Sequence, residues 1–189
     1  MLDDGSYAQL LAEEELVPCV MKIDGTGLGH LEEGSQLKDL EKGARVQLPL
    51  WLAIALSKKN MVTVHLPDEF SAHVRQDLDA GAMSVNLQLY SRHFFSVGLG
   101  LASATGDDEL RADVRRALSG ERFERLFDWS QNAGEHMDIS EITDKLTTDE
   151  IRLFQTGYKA ASEVQAWKKR RFDKLKTATI FKKTAPAES

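Results

Sequence analysis

The spacing of hydrophobic and polar positions changes several times along the chain, and each change marks an element. Ala44 to Leu48 alternates as a short strand does. Gln47-Leu48-Pro49-Leu50-Trp51-Leu52-Ala53-Ile54-Ala55-Leu56 is then almost continuously apolar. Pro49 lacks an N–H and has a fixed φ, which suits a first helical turn, and the Leu and Ala behind it are good helix formers. Lys58-Lys59-Asn60 reads as a polar turn, after which Val62, Val64 and Leu66 alternate again. The pattern predicts strand, buried short helix, strand. The helix is too apolar to stand unpacked in water.

Upstream, Tyr7 to Leu16 has the spacing of a short amphipathic helix, which Val17-Pro18 should end. Cys19 to Ile23 reads as a strand and Asp24 to Gly29 as a turn. Past Pro67 the period becomes helical. Asp68 is a candidate N-cap, with Phe70, Val74 and Leu78 on one face and a stop at Ala80-Gly81. His93-Phe94-Phe95 opens a dense apolar segment to Leu101, where Gly98 and Gly100 would let another helix approach closely. A helix starts at Gly106-Asp107-Asp108, with Leu110, Val114, Ala117 and Leu118 as its stripe. Phe123, Leu126 and Phe127 continue that stripe past a kink near Gly120, and Arg111, Arg115, Arg122 and Arg125 form mostly the wet side. After a loop from Ala133, Thr147-Thr148-Asp149-Glu150 has capping-box spacing and should open a last long helix. Ile151, Phe154, Tyr158 and Ala161 share one of its faces. The expected fold is mainly α: a helical domain over 68–176, preceded by a small β-containing N-terminal domain over 1–67 and followed by a disordered tail over 177–189.

Composition narrows the function classes. With 189 residues, 42% of them hydrophobic, the chain suits one or two compact units. No apolar run is long enough for a membrane span and the start is not basic, so an intracellular, soluble protein without a membrane partner is expected. Cys19 is the only cysteine, which leaves no internal disulfide. Residues 1–41 hold ten acids and two bases, whereas the remainder is slightly basic. The N-terminal part is therefore a poor surface for phosphates.

Candidate chemistry is sparse. Gly25-Thr26-Gly27-Leu28-Gly29 invites a phosphate-loop reading, but acidic, broken sequence follows it and no Walker lysine does, so a plain turn fits better. His30, His65, His73, His93 and His136 show no metal-binding spacing. Ser57, Ser91 and Ser130 lack a nucleophile-elbow context. Asp107-Asp108-Glu109 fits a helix start, and Cys19, between Pro18 and apolar Val20, fits a packed thiol. Neither catalytic residues, metal nor cofactor is expected. Lys168 to Lys183 contains eight Lys or Arg. A solvated helix terminus is the favoured reading there, with weak DNA contact or a nuclear-import signal as the alternatives.

Several stretches in order carry a resemblance. Leu48-Pro49-Leu50-Trp51-Leu52-Ala53, Val17-Pro18-Cys19, Gly27-Leu28-Gly29-His30-Leu31 and Leu66-Pro67 lie in the N-terminal part. His93-Phe94-Phe95, Ser130-Gln131-Asn132-Ala133, Phe154-Gln155-Thr156-Gly157-Tyr158-Lys159 and Trp167 follow. Together they resemble the third partner-of-Sld-five subunits of the eukaryotic GINS complex, over about residues 7–172. The resemblance implies a non-enzymatic, nuclear subunit of a heterotetramer with three sister subunits. That complex joins the Cdc forty-five protein and the minichromosome-maintenance hexamer in the CMG replicative helicase during DNA replication. DNA contact by this chain would be weak or indirect. On this resemblance Leu48, Pro49, Leu50, Trp51 and Leu52 anchor the small domain to the helical one. Phe94, Phe95, Phe123, Phe127, Phe154, Tyr158 and Trp167 serve helix packing or the subunit interface, two roles that sequence does not separate. The rival reading is a stand-alone nucleic-acid-binding module that uses the basic C-terminal end.

Overall fold

The computed structural model describes residues 4–32, 34, 36–81, 84–132 and 143–169. The expected tail over 177–189, the basic stretch past Lys169 and the first part of the loop after Asn132 lie outside them. The chain is mostly helical, with a small antiparallel sheet near its start, as the residue pattern predicts. The elements are α1 (Asp4–Glu13), β1 (Leu16–Met21), β2 (Arg45–Pro49), α2 (Leu50–Lys58) and β3 (Val62–Val64), followed by α3 (Ala72–Gly81), α4 (Phe94–Thr105), α5 (Asp108–Ser119), α6 (Glu121–Asn132) and α7 (Thr148–Lys168). Single 3-10 turns stand at Gly29–Leu31, Asp68–Phe70 and Leu87–Leu89.

The sheet has the order β2-β1-β3. β1 pairs Val17 with Leu48 and Cys19 with Val46 on one side, and Cys19 with Val64 on the other. It starts at Leu16, earlier than the expected Cys19, so Pro18 lies in the central strand. A proline there lacks one ladder donor. Its missing N–H falls on the β3 side, where the His65 N–H still donates to the Pro18 carbonyl at 2.9 Å and where β3 itself stops at Val64. Alternation then places Val17, Cys19, Met21, Val46, Leu48, Val62 and Val64 on the buried face.

Helix ends follow local chemistry. Gly106 closes α4 at φ 72°, a left-handed cap that glycine adopts without strain. Asp107 opens α5 by accepting from the Leu110 N–H at 2.9 Å. Gly120 separates α5 from α6, where a kink was expected. The expected helix from Asp68 divides instead. Ser71 is extended (ψ 161°), so Phe70 ends a 3-10 turn and α3 begins at Ala72. Phe70, Val74 and Leu78 are nevertheless all buried.

One apolar cluster runs from the buried face of the sheet through Leu50 and Ala53 to Phe70, Phe94, Phe95, Leu101, Leu110 and Val114. A second, smaller cluster joins Leu126, Leu146 and Phe154, with Trp129, Ile151 and Tyr158 packed against it.

Candidate interaction surfaces

Two close approaches organise the packing. A Cβ placed on Gly100 of α4 would stand 2.7 Å from Leu50 Cδ2, and one on Gly98 would stand 2.8 Å from Phe70 Cε1. Both glycines thus admit a neighbouring side chain against the helix backbone, the close approach their positions suggest. Leu48 and Leu50 are buried; Leu52 and Pro49 are partly covered. Trp51 differs from the buried anchor expected of it, being 47% exposed, whereas Leu50 is 2% exposed. Leu50 opens α2 pointing at α4, and the next residue lies about 100° further round the helix. That turn carries the indole off the core.

The second approach joins α6 and α7. Gly157 leaves room for Ser130, whose Cβ would lie 2.9 Å from an added methyl. Ser130 Oγ donates to the Phe127 carbonyl at 2.7 Å. Two of the stretches quoted for the resemblance therefore meet in space. Arg122 lies against Glu150, Leu126 shares a cluster with Phe154, and Ser130 meets Gly157, so the two helices run parallel.

Arg122 is a correction to the expected wet side of α6: it is 5% exposed. Its Nε and Nη2 donate to Glu150 Oε1 and Oε2 at 2.7 and 3.1 Å, and Nη1 donates to the Val85 carbonyl at 2.9 Å. Glu150 also completes the predicted capping box. The Thr147 N–H donates to its Oε2 at 2.9 Å, while Thr147 Oγ1 accepts from the Glu150 N–H. One carboxylate thus ends a helix and neutralises a buried cation. Sequence spacing shows the capping half, three residues apart, but not the ion pair, because Arg122 lies 28 residues from Glu150.

The aromatic candidates separate by burial. Phe94, Phe95 and Phe154 are core; Phe94 stacks on Phe70 at 4.7 Å and meets Phe95 edge-on at 5.7 Å. Tyr158 is half-buried and stacks on Phe154 at 6.2 Å. Phe123 and Phe127 stack at 6.3 Å but are 40% and 53% exposed. The apolar stripe of α5 does not continue through them, since the break at Gly120 turns Arg122, Leu126 and Ser130 inward. On α7, Leu153, Val164 and Trp167 are also exposed.

The candidates for chemistry are spread apart or spoken for. The glycine-loop amides bind the chain itself: Gly25 N–H donates to Leu40 O at 2.8 Å, Gly27 N–H to Asp39 Oδ1 at 2.7 Å and Gly29 N–H to Lys38 O at 3.1 Å. The Asp39 carboxylate takes up the Gly27 amide, and the loop is followed by a 3-10 turn of three residues instead of an α-helix N-terminus. Among the described residues no cluster of His, Cys, Asp and Glu could hold a metal ion, and no helix is long and apolar enough to cross a membrane. The outer face of the sheet bounds an open groove of about 840 Å³ lined by Pro18, Val20, Arg45, Gln47, His65 and Leu66. Cys19 lies on the opposite, buried face of β1, where burial pushes its thiol up to about 11.

Comparison with known proteins finds relatives by sequence. The family model of the PSF3 N-terminal domain matches residues 7–58, from α1 to the end of α2. A Dictyostelium discoideum protein named "Probable DNA replication complex GINS protein PSF3" is 35% identical over 170 residues, covering 90% of this chain and 63% of the relative. The chain thus spans less than two thirds of that relative. Proteins named "DNA replication complex GINS protein PSF3" from Bos taurus and Xenopus laevis are 32% and 29% identical. They cover 77% and 87% of this chain, and 68% and 79% of their own lengths.

Proposed function

The chain belongs to the PSF3 family of GINS-complex proteins, and we propose that it is a non-catalytic structural subunit of a heterotetrameric GINS complex acting in DNA replication. In this reading it assembles in the nucleus with three sister subunits. Through that complex it helps bridge the Cdc forty-five protein and the minichromosome-maintenance hexamer of the CMG helicase. Residues 1–67 form its small domain and 68–176 its helical one, joined through Leu50 with Leu48, Pro49 and Leu52 around it.

The observation that carries the reading is the stacked Phe123–Phe127 pair on α6, left open to solvent on a helix whose other face is fully used. Two adjacent aromatic rings at this exposure are what an interface core presents before its partner arrives. Phe94, Phe95 and Phe154 then hold the helices together, while Phe123, Phe127 and Trp167 face other subunits. Affinity purification of the full chain under mild conditions, with partners identified and quantified, tests it. Three similar-sized stoichiometric subunits are expected, and their absence overturns the reading.

A further inference from the structure

Across the whole sequence only two serine or threonine residues have a carboxylate three positions later: Thr105 with Asp108, and Thr147 with Glu150. That spacing suits an acidophilic protein kinase, whose cationic cleft takes the carboxylate while the hydroxyl lies at the γ-phosphate of ATP. The fold separates the two residues. Thr147 is 0% exposed, and its hydroxyl is held in the capping box with Glu150, itself paired with Arg122. Thr105 is exposed, as are Gly106, Asp108 and Glu109 after it. It is the last residue of α4, and Gly106 turns the chain at φ 72° before Asp107 opens α5. Helix ends open locally at low cost, so this exposed turn can be drawn out as an extended substrate. Capping explains Asp107, and Asp108 makes an exposed pair with Arg111 at 3.0 Å. Surface pairs of that kind contribute little stability, so Asp108 is free to be read by another protein.

We propose that Thr105 is a phosphorylation site for an acidophilic serine/threonine kinase. Thr105 Oγ1 attacks the γ-phosphorus of ATP and the bond from that phosphorus to the β,γ-bridging oxygen breaks, releasing ADP. The hydroxyl proton passes to the catalytic aspartate of the kinase. The modification acts on the seam between α2 and α4. Thr105 Oγ1 donates to the Leu101 carbonyl at 2.9 Å and accepts from the Asp107 N–H at 3.4 Å. The neighbouring Ala104 carbonyl accepts from Ser57 Oγ of α2 at 2.7 Å. The phosphoester oxygen has no proton to give Leu101. It also sets a charge of about −1.5 to −2 at the negative end of α4, close in the chain to Asp107, Asp108 and Glu109. Lys58, which follows Ser57, is exposed, so screening keeps its compensation small. The last turn of α4 therefore loosens where it meets α2. This proposal does not depend on the assembly reading, because the phosphate and its effect are read on this chain itself.

The test incubates the full chain, co-expressed with its partner subunits, with magnesium-ATP and a purified kinase that requires a carboxylate three residues after the acceptor. T105V and D108N/E109Q are treated alongside, and phosphate is mapped and timed by mass spectrometry. The parent gains phosphate on Thr105, and T105V gains none in the peptide spanning 99–110. D108N/E109Q keeps the threonine but gains phosphate about tenfold or more slowly, as loss of a charge-assisted contact predicts. Hydrogen exchange over 101–106 quickens in the phosphorylated parent, and the difference shrinks as salt rises. A parent chain with Thr105 unmodified, or phosphate on other hydroxyls alone, overturns the proposal. So does parent-like phosphorylation of D108N/E109Q, which would remove the acidic recognition. Unchanged or slower exchange over 101–106 overturns the effect assigned to the seam. A chain that recovers no partners but is phosphorylated on Thr105 overturns the assembly reading and leaves this site standing.

Discussion

Leu50 of α2 occupies the space that Gly100 of α4 leaves open, with Leu50 Cδ2 only 2.7 Å from where a glycine replacement would place its Cβ. The contact helps seat the strand–helix–strand unit on the long helices, together with Ala53 in the shared core and the hydrogen bond from Ser57 Oγ to the Ala104 carbonyl at 2.7 Å. Leu50→Ala should destabilise by about 2–5 kcal/mol. Gly100→Ala should cost about 1–3 kcal/mol from overpacking, offset by up to about 1 kcal/mol of helix propensity. The double variant should be milder than the sum by about 1 kcal/mol or more, since the new methyl enters the cavity left by the leucine. Trp51→Ala, at a half-exposed site, should cost only about 1–2 kcal/mol. Urea unfolding of the four variants checks all of this, and equal costs for Trp51 and Leu50 would contradict the packing described.

The Arg122–Glu150 pair makes a second energetic prediction. Arg122→Met leaves a carboxylate buried without its cation and should cost about 3–5 kcal/mol. Changing both residues to methionine removes the uncompensated charge and should cost less than the single change. About 1 kcal/mol remains from the lost capping box. Thermal unfolding of the two variants decides it. A double variant less stable than Arg122→Met would show that the pair contributes more than mutual neutralisation.

Exposed Phe123 and Phe127 predict behaviour in solution. Expressed alone, the chain should aggregate or be poorly soluble, and co-expression with sister subunits should rescue it. Changing both residues to serine should raise the solubility of the isolated chain and shift its stability by less than about 1 kcal/mol. Recovery of partners should fall at the same time. A monodisperse parent monomer at high concentration would count against the interface assignment.

Cys19 makes a prediction about pH. With its thiol pushed up to about 11 by burial, only about one molecule in a thousand is thiolate at pH 8. Alkylation of the native chain at pH 8 should be slow, and urea should accelerate it strongly. The unfolded thiol ionises near its ordinary value of 9.0, so the folded chain holds the proton over the intervening range. This contribution to stability is fully present below about pH 9 and is lost as pH rises towards 11. Mass spectrometry after timed alkylation reads the first effect, and unfolding midpoints across that window read the second.

Local signals were legible where one stretch contains both halves of an interaction. Thr147 and Glu150 are three residues apart, so their capping box is visible as spacing. Phe70, Val74 and Leu78 read in the sequence as one helical face; Ser71 breaks that helix, yet all three are buried, because burial tolerates a change of backbone that preserves the face. The close approach at Gly100 was legible as glycines inside an apolar run, but its partner was not. The exposure of Trp51 was hidden because an apolar run has no periodicity to assign one residue inward and the next outward.

Composition, period and caps determined that this is a mainly helical chain with a small sheet before the helices, and an ordered set of short stretches determined its family. Those properties depend on neighbours a few residues apart. Tertiary structure alone decided that Arg122 is buried, that Phe94 and Phe154 are core while Phe127 and Trp167 face solvent, and that α6 and α7 run parallel. Each of these depends on a partner brought from a distant part of the chain, as Glu150 is to Arg122. An arginine or phenylalanine on an amphipathic helix reads the same in sequence whether or not that partner arrives.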